Sequence, residues 1–122
     1  MYELEFDNNV PIYIQVLNNI KSDIVKGALL PGEKMLSARD LAIKYQINPN
    51  TASRIYKELE AEELCYTKRG LGTFVTEDQE KVENIKEEMS NALIDTFIKG
   101  MKELGFSKEQ LIEMISERYE RG

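Results

Sequence analysis

A chain of 122 residues, with 16 Lys plus Arg against 22 Asp plus Glu and a net charge of −6, holds one ordinary domain or a small domain with a helical appendage, but not two full domains. Its 42% hydrophobic and 31% charged residues are the balance of a globular chain; no apolar run approaches the roughly 20 residues of a membrane span, and the Tyr2–Phe6 opening lacks the layout of a signal peptide. A single cysteine, Cys65, excludes an internal disulfide and fits a reducing cytoplasm, while the absence of histidine removes Ser-His-Asp, Cys-His and His-containing zinc chemistry, so no catalytic residue, metal or cofactor is expected.

The first element spans Pro11 to Lys26. Pro11 suits a first helical position, and Tyr13, Leu17, Ile20 and Ile24 recur at helical spacing. Gly27 is placed to end the helix in the left-handed conformation, and Pro31-Gly32 marks a tight turn. Ser37 then caps a short helix that runs to about Tyr45, with Asp40 at its third position. Only Gln46, Ile47 and Asn48 separate it from a third helix, where Asn48 caps, Pro49 takes the first position, and Ala52, Ile55, Tyr56 and Leu59 form the apolar stripe. Asn50, Thr51, Ser53, Arg54 and Lys57 fall opposite that stripe.

After Leu64 the period changes. Residues 64–67 and 73–76 favour strands, and Lys68-Arg69-Gly70-Leu71-Gly72 between them makes a basic, glycine-punctuated hairpin tip. The tail is helical again: Val82, Ile85, Met89, Leu93, Phe97, Met101 and Leu104 form one stripe that ends at Gly105. Ser107 and Gln110 then make a capping box for a last helix carrying Leu111, Ile112, Ile115 and Tyr119, with Phe106 set to staple onto Leu111. The predicted fold is therefore mainly α with a small β-hairpin: a winged helix-turn-helix over residues 1–76, then a two-helix dimerisation tail over 77–122, joined at Glu77–Glu80.

Charge divides along the same line. Residues 1–76 carry 9 basic and 10 acidic side chains, net −1, whereas residues 77–122 carry 7 and 12, net −5. Within 34–57 five bases (Lys34, Arg39, Lys44, Arg54 and Lys57) face Asp40 alone, a local +4, and Lys68 and Arg69 follow. Field at a docking face outweighs the molecular total, so the acidic whole does not exclude a nucleic acid partner. Arg54 and Lys57 by themselves read as a solvated helix face, and Lys68-Arg69-Gly70 as an ordinary soluble turn. The convergence of a polar, basic helix after a short turn with a basic glycine wing favours double-stranded DNA.

The segments Pro11–Gln15, Gly27–Lys34, Ser37–Ala42, Ile47–Glu60 and Arg69–Val75 together resemble the GntR family of bacterial transcription regulators, almost unbroken from Pro11 to Val75. The resemblance implies a winged domain that binds operator DNA as a homodimer through Arg39, the first turn of the recognition helix and the wing. Carried over by position, and with the neighbouring bases, the DNA-binding set is Arg39, Asn48, Asn50, Thr51, Ser53, Arg54, Lys57, Lys68, Arg69, Gly70 and Gly72. Leu36 stands where the family usually has proline, and Glu63 replaces a glycine, at a cost of about 1 kcal/mol if the backbone there is left-handed. The short tail is similar to the YtrA-like branch, whose members often repress an ABC transporter operon that includes their own gene.

Residues 77–122 are too few to enclose a metabolite in an independent core. Their apolar stripes (Val82, Ile85, Met89, Leu93, Phe97, Met101, Leu104, Leu111 and Ile115) require a partner, and a second copy supplies one. A small apolar effector at this Met-rich seam is the minority reading. The rival for the whole chain is a winged-helix protein-interaction module without DNA binding, against which the +4 patch speaks. An enzyme finds no nucleophile–base pair, and Arg69-Gly70-Leu71-Gly72 lacks the remaining glycines and following helix of a phosphate loop.

Overall fold

The computed structural model describes residues 7–122, so the Tyr2–Phe6 stretch lies outside the described residues. The elements are α1 (Ile12–Val25), α2 (Ala38–Tyr45), α3 (Pro49–Ala61), β1 (Cys65–Lys68), β2 (Gly72–Val75), α4 (Gln79–Glu103) and α5 (Lys108–Arg121). Five helices and one antiparallel hairpin are the arrangement the sequence predicts. Backbone packing groups residues up to Lys86 into one unit and Glu87–Gly122 into a second.

In the first unit, α1 begins one residue later than the proline rule places it. Pro11 sits in the cap position at φ −53°, ψ 136°, and its carbonyl accepts from the amides of Ile14 and Gln15. The Gln15 side-chain amide folds back, donating to the carbonyls of Asp7 and Val10 at 2.6 and 2.8 Å and so fixing the turn that leads into α1. Val16, Leu17, Ile20 and Ile24 are buried, whereas Tyr13, at the head of the predicted stripe, is only half-buried. Gly27 ends the helix at φ +82°, and Leu30-Pro31-Gly32-Glu33 makes a turn with Gly32 at φ +77° closed by the Glu33 amide on the Leu30 carbonyl.

Both caps of the helix-turn-helix form as the side chains dictate. Ser37 Oγ accepts from the Asp40 amide at 3.0 Å, and Asn48 Oδ1 from the Asn50 amide at 2.7 Å. Between them the chain turns through Gln46 in the left-handed region at φ 54°, with the Ile47 amide reaching back to the Ala42 carbonyl in the double-bonded closure usual at helix ends. Ala52, Ile55 and Leu59 of α3 are fully buried, as are Val16 of α1 and Leu64 just ahead of β1. Tyr56 is buried too, and its hydroxyl donates to the Leu36 carbonyl, anchoring the segment ahead of α2.

The hairpin pairs Cys65 with Val75 and Lys68 with Gly72. It has a third member that the strand propensities do not announce. Lys34 bridges Phe74; the Met35 amide donates to Thr73, the Val75 amide to Glu33, and the Gly32 amide to Val75, all between 2.8 and 2.9 Å. After it, Asp78 Oδ1 accepts from the amides of Glu80 and Lys81 and starts α4, whose Val82 and Ile85 are buried within this first unit. Glu63, in the position expected to be left-handed, is so at φ 59°, and its carboxylate pairs with Lys81.

The second unit holds the rest of α4 and all of α5. Gly105 turns the chain at φ +88°, and the capping box is complete: Ser107 Oγ accepts from the Gln110 amide at 3.2 Å, while Gln110 Oε1 accepts from the Ser107 amide at 2.8 Å. Among its residues none is buried.

Among the described residues of the first unit, Gln46 and Glu63 are the non-glycine residues with left-handed backbone. Gln46→Gly should raise stability by about 0.5–1 kcal/mol. Glu63→Gly should gain less, because it also removes the exposed ion pair with Lys81, itself worth roughly 0–1 kcal/mol. Urea unfolding of the two variants beside the parent measures both values and their order.

Candidate nucleic-acid interface

With one stripe of α3 buried, its other face must point outward. Asn50, Ser53, Arg54 and Lys57 are exposed along it and Thr51 is half-buried at its edge. Asn48 is exposed at the helix start, where its side chain is already engaged in capping. Arg39 is exposed on the first turn of α2, two residues beyond the Ser37 cap. These side chains therefore come from the two helices of the motif and the turn between them, on elements whose inner faces share one core.

The wing carries the remaining residues. The Leu71 amide closes the tip onto the Lys68 carbonyl at 2.9 Å, around Arg69 and Gly70, with Gly70 at φ +80°. That value places Gly at the turn position where an L side chain is strained. Gly72 follows at φ +122°, and a Cβ there would come within 2.8 Å of Lys34 Cε. Lys68 and Arg69 are exposed.

Among the described residues three bases rest on aromatic rings, one of them Lys44, whose Nζ lies 5.3 Å from the centre of the Tyr45 ring. The Arg54 guanidinium carbon lies 3.9 Å from the centre of the Tyr13 ring of α1, and Lys68 Nζ lies 5.1 and 5.7 Å from the rings of Phe74 and Tyr66, which stack on each other. In the sequence Tyr13 is one residue of an apolar helical stripe, and Tyr66 and Phe74 are strand residues with no evident partner. A pairing between positions 13 and 54 carries no local pattern by which to find it. Lys34, at the bridge with Phe74, is a further base beside the wing.

Cys65 is buried at the root of β1, and burial, reinforced by the Glu60 charge, pushes its thiol up from 9.0 to about 12. Burial likewise raises the Tyr56 phenol above its ordinary range. A groove of about 470 Å³ beside Cys65 is lined by Glu60, Glu63, Thr67 and Asp78 with Lys81, and Thr67 donates to the Glu60 carboxylate.

The predicted dimerisation residues separate into two groups. Val82 and Ile85 are 6% and 9% exposed because the first unit already covers them. Leu93 at 72%, Leu104 at 73%, Phe97 and Ile115 are exposed in the second unit, with Met89, Met101 and Leu111 half-buried. Phe97, Met101, Met114, Ile115, Arg118 and Tyr119 line an open apolar groove there of about 700 Å³. Among the described residues no helix is long and apolar enough to cross a membrane.

A three-helix core with a tight turn before an outward-facing, polar and basic third helix, backed by a hairpin wing, defines a winged helix-turn-helix transcription regulator of the DNA-binding class. The chain belongs to the gntR family of bacterial regulatory proteins, whose family model matches residues 12–75. It is 36% identical over 96% of its length to the HTH-type transcriptional repressor YtrA of Bacillus subtilis, covering 91% of that protein, and 40% identical over 97% of its length to the HTH-type regulator YhcF of the same organism, covering 98% of it. Among solved structures it is similar to a GntR family transcriptional regulator from Listeria monocytogenes, with a TM-score of 0.86 and 40% identity, covering 92% of this chain and 98% of that one. The family and these relatives are transcriptional regulators, not enzymes, and the likeness continues through the tail.

The Cys65 thiol should be inert in the native protein. Its raised pKa means that the fold favours the neutral form, so this contribution to stability is complete below pH 9 and is lost as the pH climbs towards about 12. A chromogenic disulfide reagent at pH 8 should modify no thiol in the native protein and one per chain in 6–8 M urea; rapid native labelling overturns the assignment.

Proposed function

We propose that this protein is a cytoplasmic repressor that binds a two-fold symmetric operator as a homodimer. The observation that carries the reading is the outward face shared by Arg39, Asn50, Ser53, Arg54 and Lys57, with Lys68 and Arg69 on the wing, in a segment whose local charge is positive although the chain is acidic. Lys57, Lys68 and Arg69 supply phosphate contacts and hence affinity that falls with salt. Arg39, Asn48, Asn50, Thr51, Ser53 and Arg54 lie at the helix starts, the part of such motifs that enters the major groove and reads base edges. Gly70 and Gly72 let the wing backbone approach the sugar-phosphate closely.

The second unit supports the dimer. The part of α4 from Glu87 onward and α5 bury no residue and do not hold themselves together in water, and their exposed Leu93, Phe97, Leu104 and Ile115 offer a seam for the same surface of a second copy. On this reading the seam starts near Met89, since Val82 and Ile85 are already covered, and the partner fills the apolar groove in preference to a small effector. The resemblance to the short branch of the family favours an ABC transporter operon, including the regulator's own gene, as the target.

Arg39→Ala and Arg54→Ala should each weaken binding to the preferred duplex by about 1–3 kcal/mol, measured by fluorescence anisotropy at fixed salt. Undiminished affinity in both would refute the contact assignment. Phe97→Glu should convert the dimer to monomer in sedimentation equilibrium and weaken operator binding with it; a monomeric parent at micromolar concentration would remove the dimer from the proposal.

A further inference from the structure

The seam between α1 and α3 is tied at two points. Near its start the Arg54 guanidinium lies 3.9 Å above the Tyr13 ring; further along, Lys21 Nζ meets the Glu62 carboxylate at 2.6 and 2.9 Å. Tyr13 and Lys21 are eight residues apart, as are Arg54 and Glu62, so the two helices run side by side in the same sense with ties about 12 Å apart along the axis. Such a pair of ties fixes both the rotation of α3 about its axis and the direction in which its exposed Arg54 projects.

The chemistry of the first tie is selective. A ring engages a guanidinium through its flat face, whereas the N–H donors radiate around the edge. Among the described residues no hydrogen bond or ion pair takes those donors of Arg54. Among the described residues, no ring seats Arg39, Lys57 or Arg69. Resting on DNA binding as proposed above, we infer that Tyr13 is a positioning residue for recognition: its ring holds the Arg54 guanidinium flat, with its donors directed outward, before DNA arrives. The ring lowers the conformational freedom that this long side chain would otherwise surrender on binding, and so favours the one duplex whose acceptors match the held fork.

The test uses the full-length protein and a duplex selected by the parent from a randomised pool, beside an unrelated duplex of equal length. Tyr13→Leu should bind the selected duplex about five- to tenfold more weakly and the unrelated one as before. Tyr13→Phe, which keeps the ring, should restore the selectivity. In an Arg54→Ala background Tyr13→Leu should cause no further loss. Equal loss on both duplexes, an additive loss in that background, or no loss overturns the inference. An NMR measurement on the DNA-free parent does not depend on any variant folding: the Arg54 Nε–Hε vector should be nearly as ordered as the backbone, and free rotation overturns the seat. If the parent enriches no sequence at all, the DNA-binding reading itself falls, which is distinct from failure of the seat.

Discussion

Burial of one stripe of α3 is the constraint on which the rest of the structure depends. Ala52, Ile55 and Leu59 are fully buried, as are Val16 of α1 and Leu64 at the hairpin root, and a close-packed core admits one rotation of the helix. Once that rotation is set, Asn50, Ser53, Arg54 and Lys57 have nowhere to go but outward. A slip by a single residue would turn the helix by about 100° and put a charge into the core, so the identity of the outer face follows from the inner one. The caps at Ser37 and Asn48 then decide where each helix starts, and therefore which side chains stand at its positive end.

Much of this was legible from spacing and local chemistry. The caps, the helical stripe of α3, the glycine-turned hairpin and the capping box at Ser107 are each written within a short local stretch of sequence, and all appear there. What escaped depends on distant partners. The extended segment at Lys34 and Met35 is too short to show an alternating pattern, and it becomes strand-like only because β2 offers it hydrogen bonds. Gln46 adopts left-handed backbone without glycine, since the short turn between α2 and α3 demands it. Tyr13 looks like any stripe residue until Arg54 is seen above its ring.

The stripe of α4 shows a different limit. From Val82 to Leu104 the apolar spacing is continuous, and periodicity reports that a face is covered, not by what. Packing divides it: Val82 and Ile85 serve the winged unit of their own chain, while Leu93, Phe97 and Leu104 remain open. One helix thus carries a covered and an open apolar stretch built from the same residue types. For the outward face, exposure was legible because the buried stripe fixes it; which of the bases rest on rings was not.

The hairpin's second strand is bonded on both sides, by β1 on one and by the segment around Lys34 on the other. An arm hinged only at its root would swing in solvent and lose that freedom each time it settled against a target. Here the loss is incurred once, when the chain folds. Residues 73–75 of the arm are held to the body of the molecule, and with them the direction in which the tip at Arg69 leaves it.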